Sequence, residues 1–251
     1  MQLFCLPYAG GGATGFHSLR EHVAGEIELH VLSLPGREQR FSEPPIDRLM
    51  PMLDCLQAQL QQSVTGPYAL YGHSMGALLA FELAHRQMAG AGPRPQHLFV
   101  AARGAPALDG EYERYSHLPD REFLERIGRF GGLHPAIFDT PELLQLVLPI
   151  LRADFRLLDR YQYLPRPPLQ IPITSLHGAD DPGVREDWVR AWQSETSTDY
   201  RHHRLRGGHF FLAEAAAELS AVIGDTLKNR PQQYREQQPA ALPDEASISS
   251  Y

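Results

Sequence analysis

Along the chain, short apolar runs alternate with longer stretches whose apolar positions recur at three- and four-residue spacing. The short runs are read as strands over residues 3–7, 30–34, 68–71, 98–102, 171–176 and 200–205. The longer stretches predict helices over 16–23, 46–62, 75–88, 184–195 and 211–227. Strand–helix alternation of this kind builds βαβ units. The predicted class is therefore α/β, a mostly parallel central sheet with helices on both faces. Ligands of such sheets sit beyond the carboxyl ends of the strands.

One segment breaks the alternation. Residues 105–168 contain no convincing strand. A helical pattern begins at Asp120 with Phe123, Leu124 and Ile127, and Thr140 before Pro141 reads as an N-cap with proline at the first helical position. Leu143, Leu144, Val147, Leu148 and Leu151 continue at helical spacing. Pro149 is expected to kink that helix, because it removes a backbone donor and crowds the preceding turn. A helical insertion between two strands is expected to form a lid over the sheet; ordinary packing helices are the alternative. Beyond residue 229 the chain is rich in Gln, Pro, Glu and Ser without a burial pattern. Residues 229–251 are expected to form a disordered or loosely docked tail, and 1–228 a single domain.

The length of 251 residues fits one large α/β domain, so no second domain is needed. A net charge of −7 argues against nonspecific nucleic-acid binding, which needs a basic footprint. No apolar run is long enough to span a bilayer. The apolar start Leu3-Phe4-Cys5-Leu6 has no basic region before it, so no signal peptide is expected and the location is read as cytoplasmic. Cys5 and Cys55 have no cysteine nearby and are expected to be buried thiols in a reducing compartment. The 12 histidines are scattered, and His202 and His203, adjacent on a predicted strand, point to opposite faces. No metal site is expected.

The chemistry begins at Gly72-His73-Ser74-Met75-Gly76, which follows the strand at 68–71 and opens a small, apolar helix. Gly-x-Ser-x-Gly in that context places a serine hydroxyl above the sheet on a tight, strained turn. The helix N-terminus aims its dipole and free N–H groups at the same place. Ser74 is the candidate nucleophile. A serine needs a histidine to take its proton and a carboxylate to fix that histidine's tautomer. In this fold class the order is Ser, Asp or Glu, His. The loop His177-Gly178-Ala179-Asp180-Asp181-Pro182 offers two carboxylates after a strand, of which Asp181 is favoured and Asp180 stays open. His209, in the glycine-flanked loop after the last strand, is the candidate base. His73 belongs to the nucleophile turn and is expected to pack there.

A tetrahedral oxyanion needs two converging N–H donors. One is the amide of Met75. The second is assigned to Ala9, in the glycine-rich loop Pro7-Tyr8-Ala9-Gly10-Gly11-Gly12 after the first strand. That loop lacks the lysine of a phosphate-binding loop and the spacing of a dinucleotide fingerprint.

The segments Leu6-Pro7-Tyr8-Ala9-Gly10-Gly11-Gly12, Leu34-Pro35-Gly36-Arg37-Glu38, Gly72-His73-Ser74-Met75-Gly76, Gly178-Ala179-Asp180-Asp181-Pro182 and Gly207-Gly208-His209-Phe210 together resemble a type II thioesterase of polyketide and nonribosomal peptide synthases, within the α/β-hydrolase superfamily. A more distant resemblance is to the medium-chain thioesterase that accompanies fatty acid synthase. The resemblance implies an editing enzyme that hydrolyses stalled acyl groups from the phosphopantetheine arm of acyl or peptidyl carrier proteins. It implies no cofactor of its own, a transient carrier-protein partner, no nucleic-acid or membrane partner, and a monomer. It also implies a lid over an acyl chamber, for whose wall Phe123, Ile127 and Phe130 are candidates. Arg114, Arg121, Arg126 and Arg129 are candidates for docking an acidic carrier protein, or else a solvated face. A general esterase or lipase, a non-catalytic binding module and an acyltransferase are the competing readings.

Overall fold

The computed structural model describes residues 1–23, 25–132, 137 and 140–229. The expected tail lies outside them, apart from Asn229. Strands β1 (Gln2–Leu6), β2 (Glu28–Val31), β3 (Tyr68–His73), β4 (Leu98–Ala101), β5 (Ile173–Gly178) and β6 (Tyr200–Leu205) form one sheet in the order β2-β1-β3-β4-β5-β6. Every neighbouring pair is parallel. β1 steps outward to β2, and the chain then returns to the other side of β1 at β3. That reversal is the switch point at which doubly wound sheets bind ligands.

Alternate residues of each central strand serve different cores. Phe4 and Leu6 of β1, Leu70 of β3 and Val100 of β4 face a cluster built with helices α2 (Leu49–Ser63) and α3 (Met75–Ala89). Leu3, Cys5, Ala69, Tyr71 and Phe99 face the opposite cluster, closed by α1 (His17–His22) and by Phe211, Leu219 and Ile223 from the C-terminal helices. Period-two alternation between two apolar layers explains why the central strands read as continuous apolar runs. The edge strand β6 is more polar, with Arg201, His202, His203 and Arg204 along it, as an unpaired edge requires.

Between β4 and β5 lies the helical insertion. After a 3-10 turn over Pro106–Glu111 it contains α4 (Asp120–Gly128) and α5 (Pro141–Asp159). Thr140 occupies the N-cap position and Pro141 the first turn, but the Thr140 side chain makes no capping bond. α5 runs as one helix through Pro149. Phe123, Leu124, Ile127 and Leu151 form a separate apolar cluster inside the insertion. After β5 come α6 (Glu186–Arg190), continued by a short 3-10 turn over Ala191–Glu195, then β6, α7 (Phe211–Glu214) and α8 (Ala216–Lys228). The single helices expected over 184–195 and 211–227 are thus each divided. Cys5 is buried as expected, and burial pushes its thiol well above the usual range. Cys55 is only half-buried, and the Arg40 guanidinium donates to its sulfur at 3.0 Å.

Candidate active site

β3 ends at His73, and α3 begins at Met75, so Ser74 alone makes the turn between strand and helix. Its φ is 55° and ψ −114°, a conformation that L-residues rarely adopt. The two glycines of the motif permit it. A Cβ on Gly72 would strike the Gly76 carbonyl, and a Cβ on Gly76 would strike the Leu6 carbonyl at the end of β1. The Ser74 N–H donates to the Ala101 carbonyl at 2.8 Å, tying the turn to β4.

Parallel register delivers the other groups. Gly178 pairs with Leu205, so the loops leaving β5 and β6 lie side by side. His209, in the second loop, approaches Ser74 with Nε2 2.9 Å from Oγ. Its Nδ1 lies 2.8 Å from Oδ2 of Asp181 in the first loop. A carboxylate only accepts, so Nδ1 carries the proton and Nε2 is left to accept one from the serine. The Asp181 side chain is fully buried, and its Oδ1 accepts the N–H groups of Gly183 at 2.9 Å and Val184 at 3.2 Å. His177 Nε2 donates to the Val184 carbonyl at 2.9 Å and ties the same loop to β5. Asp180 is exposed. The structure therefore brings Ser74, His209 and Asp181 into one chain of hydrogen bonds and leaves Asp180 outside it.

His73 is fully buried, and burial, then the neighbouring His209, lowers its pKa to about 3. It is a neutral packing residue, stacked on Phe210 at 6.1 Å between ring centroids.

Met75 is the first residue of α3, so its amide has no partner within the helix. Ala9 lies in the loop after β1, on the other side of the switch point, and lines the same cavity as Ser74 and His209. Among the described residues the Ala9 N–H makes no hydrogen bond. The two amides thus follow adjacent parallel strands, Ala9 after β1 and Met75 after β3.

Beyond Ser74 the cavity continues beneath the insertion. Ile127 and Phe130 line it, and the Phe130 ring packs 4.9 Å from the His209 ring. Phe123 is placed differently from its expected role. It is fully buried in the insertion's own core, edge-on to Phe155 at 5.3 Å and beneath the Arg152 guanidinium at 4.1 Å, and it does not line the cavity. The wall residues that sequence reasoning missed are Phe155 and Leu158 of α5. They continue the helical spacing from Leu151, which was the available signal. Arg103 and Tyr112 also line the cavity, with the guanidinium 4.8 Å above the ring centre, and nothing local in the sequence marked them. Of the four arginines considered for docking, Arg114 turns inward. It lines the cavity and donates to Asp109 at 2.7 Å and to the Leu158 carbonyl at 3.0 Å.

Among the described residues no group of three His, Cys, Asp or Glu side chains could hold a metal ion. No helix among them is long and apolar enough to cross a membrane.

Sheet order, a serine at the strand–helix turn and a Ser–His–Asp chain of hydrogen bonds define a hydrolase of the α/β-hydrolase class. The chain belongs to the thioesterase family, whose Thioesterase domain model matches residues 1–228. It is 36% identical over 228 residues to the gramicidin S biosynthesis protein GrsT of Aneurinibacillus migulanus, covering 91% of this chain and 89% of that one. The solved structure of RedJ, a thioesterase from the prodiginine pathway of Streptomyces coelicolor, is 38% identical with a TM-score of 0.82, over 89% of this chain and 84% of that one. The type II thioesterase BorB from the borrelidin biosynthetic cluster is 36% identical with a TM-score of 0.81, over 90% and 92% of the two chains. The protein is accordingly a thioester hydrolase, and its relatives include type II thioesterases of polyketide and nonribosomal peptide pathways.

Proposed function

We propose that the protein hydrolyses acyl groups from the phosphopantetheine arm of carrier proteins, with Ser74 as nucleophile, His209 as general base and Asp181 orienting His209. The observation that carries this reading is the Ser74–His209–Asp181 chain opening into an apolar cavity roofed by the insertion. Ser74 Oγ attacks the thioester carbonyl while His209 Nε2 takes its proton. The tetrahedral oxyanion is met by the amides of Met75 and Ala9. Collapse breaks the carbon–sulfur bond, the thiol departs with the proton, and an acyl-serine remains. Water, deprotonated by the same imidazole, attacks that ester; the acid leaves and Ser74 regains its proton. Ile127, Phe130, Leu151 and Phe155 give the acyl group an apolar wall.

Editing of stalled synthases is supported by relatives named for gramicidin S, prodiginine and borrelidin biosynthesis. The carrier protein is a transient partner, the enzyme acts as a cytoplasmic monomer, and the chemistry needs no cofactor beyond the arm that bears the substrate. The test compares kcat/KM on an acyl-pantetheine thioester, the same acyl group on a carrier protein, and a matched oxygen ester. The expected order places the carrier-bound thioester first and the ester last. An ester hydrolysed faster than both thioesters points instead to a general esterase.

A further inference from the structure

Pro35-Gly36-Arg37-Glu38 contributes no group to the catalytic chain, yet both of its charged side chains grip the loop that follows β1. Arg37 is buried and forms a two-pronged ion pair with the fully buried Asp154 of α5, Nη1 to Oδ2 at 2.7 Å and Nη2 to Oδ1 at 2.8 Å. Oδ2 of Asp154 also accepts the N–H of Gly10 at 2.7 Å. Arg37 Nη1 reaches the Gly11 carbonyl at 3.2 Å. Glu38 holds the far end, accepting the N–H of Ala13 at 2.8 Å and the N–H and hydroxyl of Thr14 at 2.9 Å. Gly10 itself lies against α5. Its φ is +76°, and a Cβ there would stand 2.6 Å from Leu151 Cδ2.

These contacts fix successive peptide planes. The Tyr8 carbonyl accepts the Gly11 N–H at 2.9 Å, and it shares a plane with the Ala9 N–H. The next plane is held through the Gly10 N–H by Asp154, and the Gly11 carbonyl is held by Arg37. Of the two amides in these planes that make no hydrogen bond among the described residues, Ala9 and Gly12, only Ala9 belongs to a residue that lines the cavity with Ser74.

We infer that Arg37 and Asp154 are positioning residues that aim the Ala9 N–H at the oxyanion and couple its orientation to the docking of α5. This rests on the proposed donor role of Ala9. The same helix supplies cavity wall through Leu151, Phe155 and Leu158. Seating the chamber wall and completing the oxyanion hole are then one event. A buried pair with no such task would be replaceable by apolar residues of similar volume.

The test uses Asp154→Asn and the double variant Arg37→Met/Asp154→Leu, which removes both charges together and so leaves neither buried alone. Each is assayed for kcat and KM on a small acyl-pantetheine thioester. Each is also assayed for inhibition by an acyl-pantetheine trifluoromethyl ketone, which forms a tetrahedral oxyanion on Ser74, and for binding of the non-hydrolysable thioether. The expected result is a fall in kcat of about 10²-fold with KM and thioether affinity within about twofold, and a matching loss of ketone affinity. A kcat near the parent's in the double variant, or a reduced kcat with undiminished ketone affinity, overturns the inference. Ser74→Ala in the same assay separates the two levels. Hydrolysis that survives it removes the site itself, whereas its loss beside an unaffected Asp154→Asn removes only the positioning role.

Discussion

His73 Nε2 donates to the backbone carbonyl of His209 at 2.7 Å, so the residue beside the nucleophile holds the loop that carries the base. A carbonyl only accepts, which places the proton on Nε2 and leaves Nδ1 to accept from the Tyr71 hydroxyl at 3.3 Å. Unfolded, this imidazole titrates near its ordinary 6.5; folded, it is held at about 3. Between those values the unfolded chain binds a proton that the native chain refuses. Stability contributed by neutral His73 is whole above about pH 6.5 and is lost as pH falls toward 3, at about 1.4 kcal/mol per pH unit. In His73→Gln the slope of unfolding free energy between about pH 6 and 4 should be shallower by that amount. His85 and His202, each lowered to about 4 mainly by burial, leave a residual slope. An unchanged slope in the variant contradicts the buried neutral assignment.

The two neighbouring carboxylates should separate cleanly. Asp181→Asn keeps the shape but favours the wrong tautomer of His209, so kcat should fall by about 10⁴-fold. Asp180→Asn alters an exposed side chain outside the hydrogen-bonded chain and should leave kcat within about twofold. Steady-state rates of both on one acyl-pantetheine substrate decide the matter, and equal losses would reopen the choice between them.

Two insertion residues at helical spacing should respond in opposite ways. Phe123 is buried in the insertion's core, so Phe123→Ala should cost about 3–5 kcal/mol of stability, measured by denaturant unfolding. Ile127 lines the cavity, so Ile127→Trp should leave turnover of a short acyl thioester nearly intact and raise KM for a long one by at least about tenfold. A uniform loss across chain lengths would place Ile127 outside the chamber wall.

Parts of this site were legible in the sequence for local reasons. The nucleophile turn spans a few consecutive residues, and its glycines answer to carbonyls that the strand–turn–helix geometry always brings near. The order of Ser74, Asp181 and His209 follows from strand order. Other features are not local. An apolar helical stripe reports burial but not which of its residues also reaches a cavity, so Phe123 and Ile127 read alike: both join the insertion's core, and Ile127 lines the cavity as well. Arg37 and Asp154 are 117 residues apart, and only the docking of α5 brings them together. Arg114 shows the same limit. It reads as a surface charge, yet α5 offers it the Leu158 carbonyl and the preceding turn offers it Asp109. Strand β5 runs two residues later than the apolar run predicts, because His177 and Gly178 continue the pairing with β6.

Carrier-protein docking should depend on the arginines that remain outward. Arg129 is exposed, and Arg126 is half-exposed beside Glu113 at 3.4 Å. The double reversal Arg126→Glu/Arg129→Glu should raise KM for an acyl-carrier protein several-fold, with the effect shrinking at high salt. KM for acyl-pantetheine should not move. Equal changes on both substrates would show that the arginines act on the cavity rather than on the partner.

Ser74 as the nucleophile is tested by stoichiometric labelling with a fluorophosphonate, followed by peptide mapping and assay of thioester hydrolysis. One equivalent of label on Ser74, with activity lost in proportion, is the expected result. Full inactivation with the label elsewhere, or a fully labelled Ser74 with turnover intact, would contradict it.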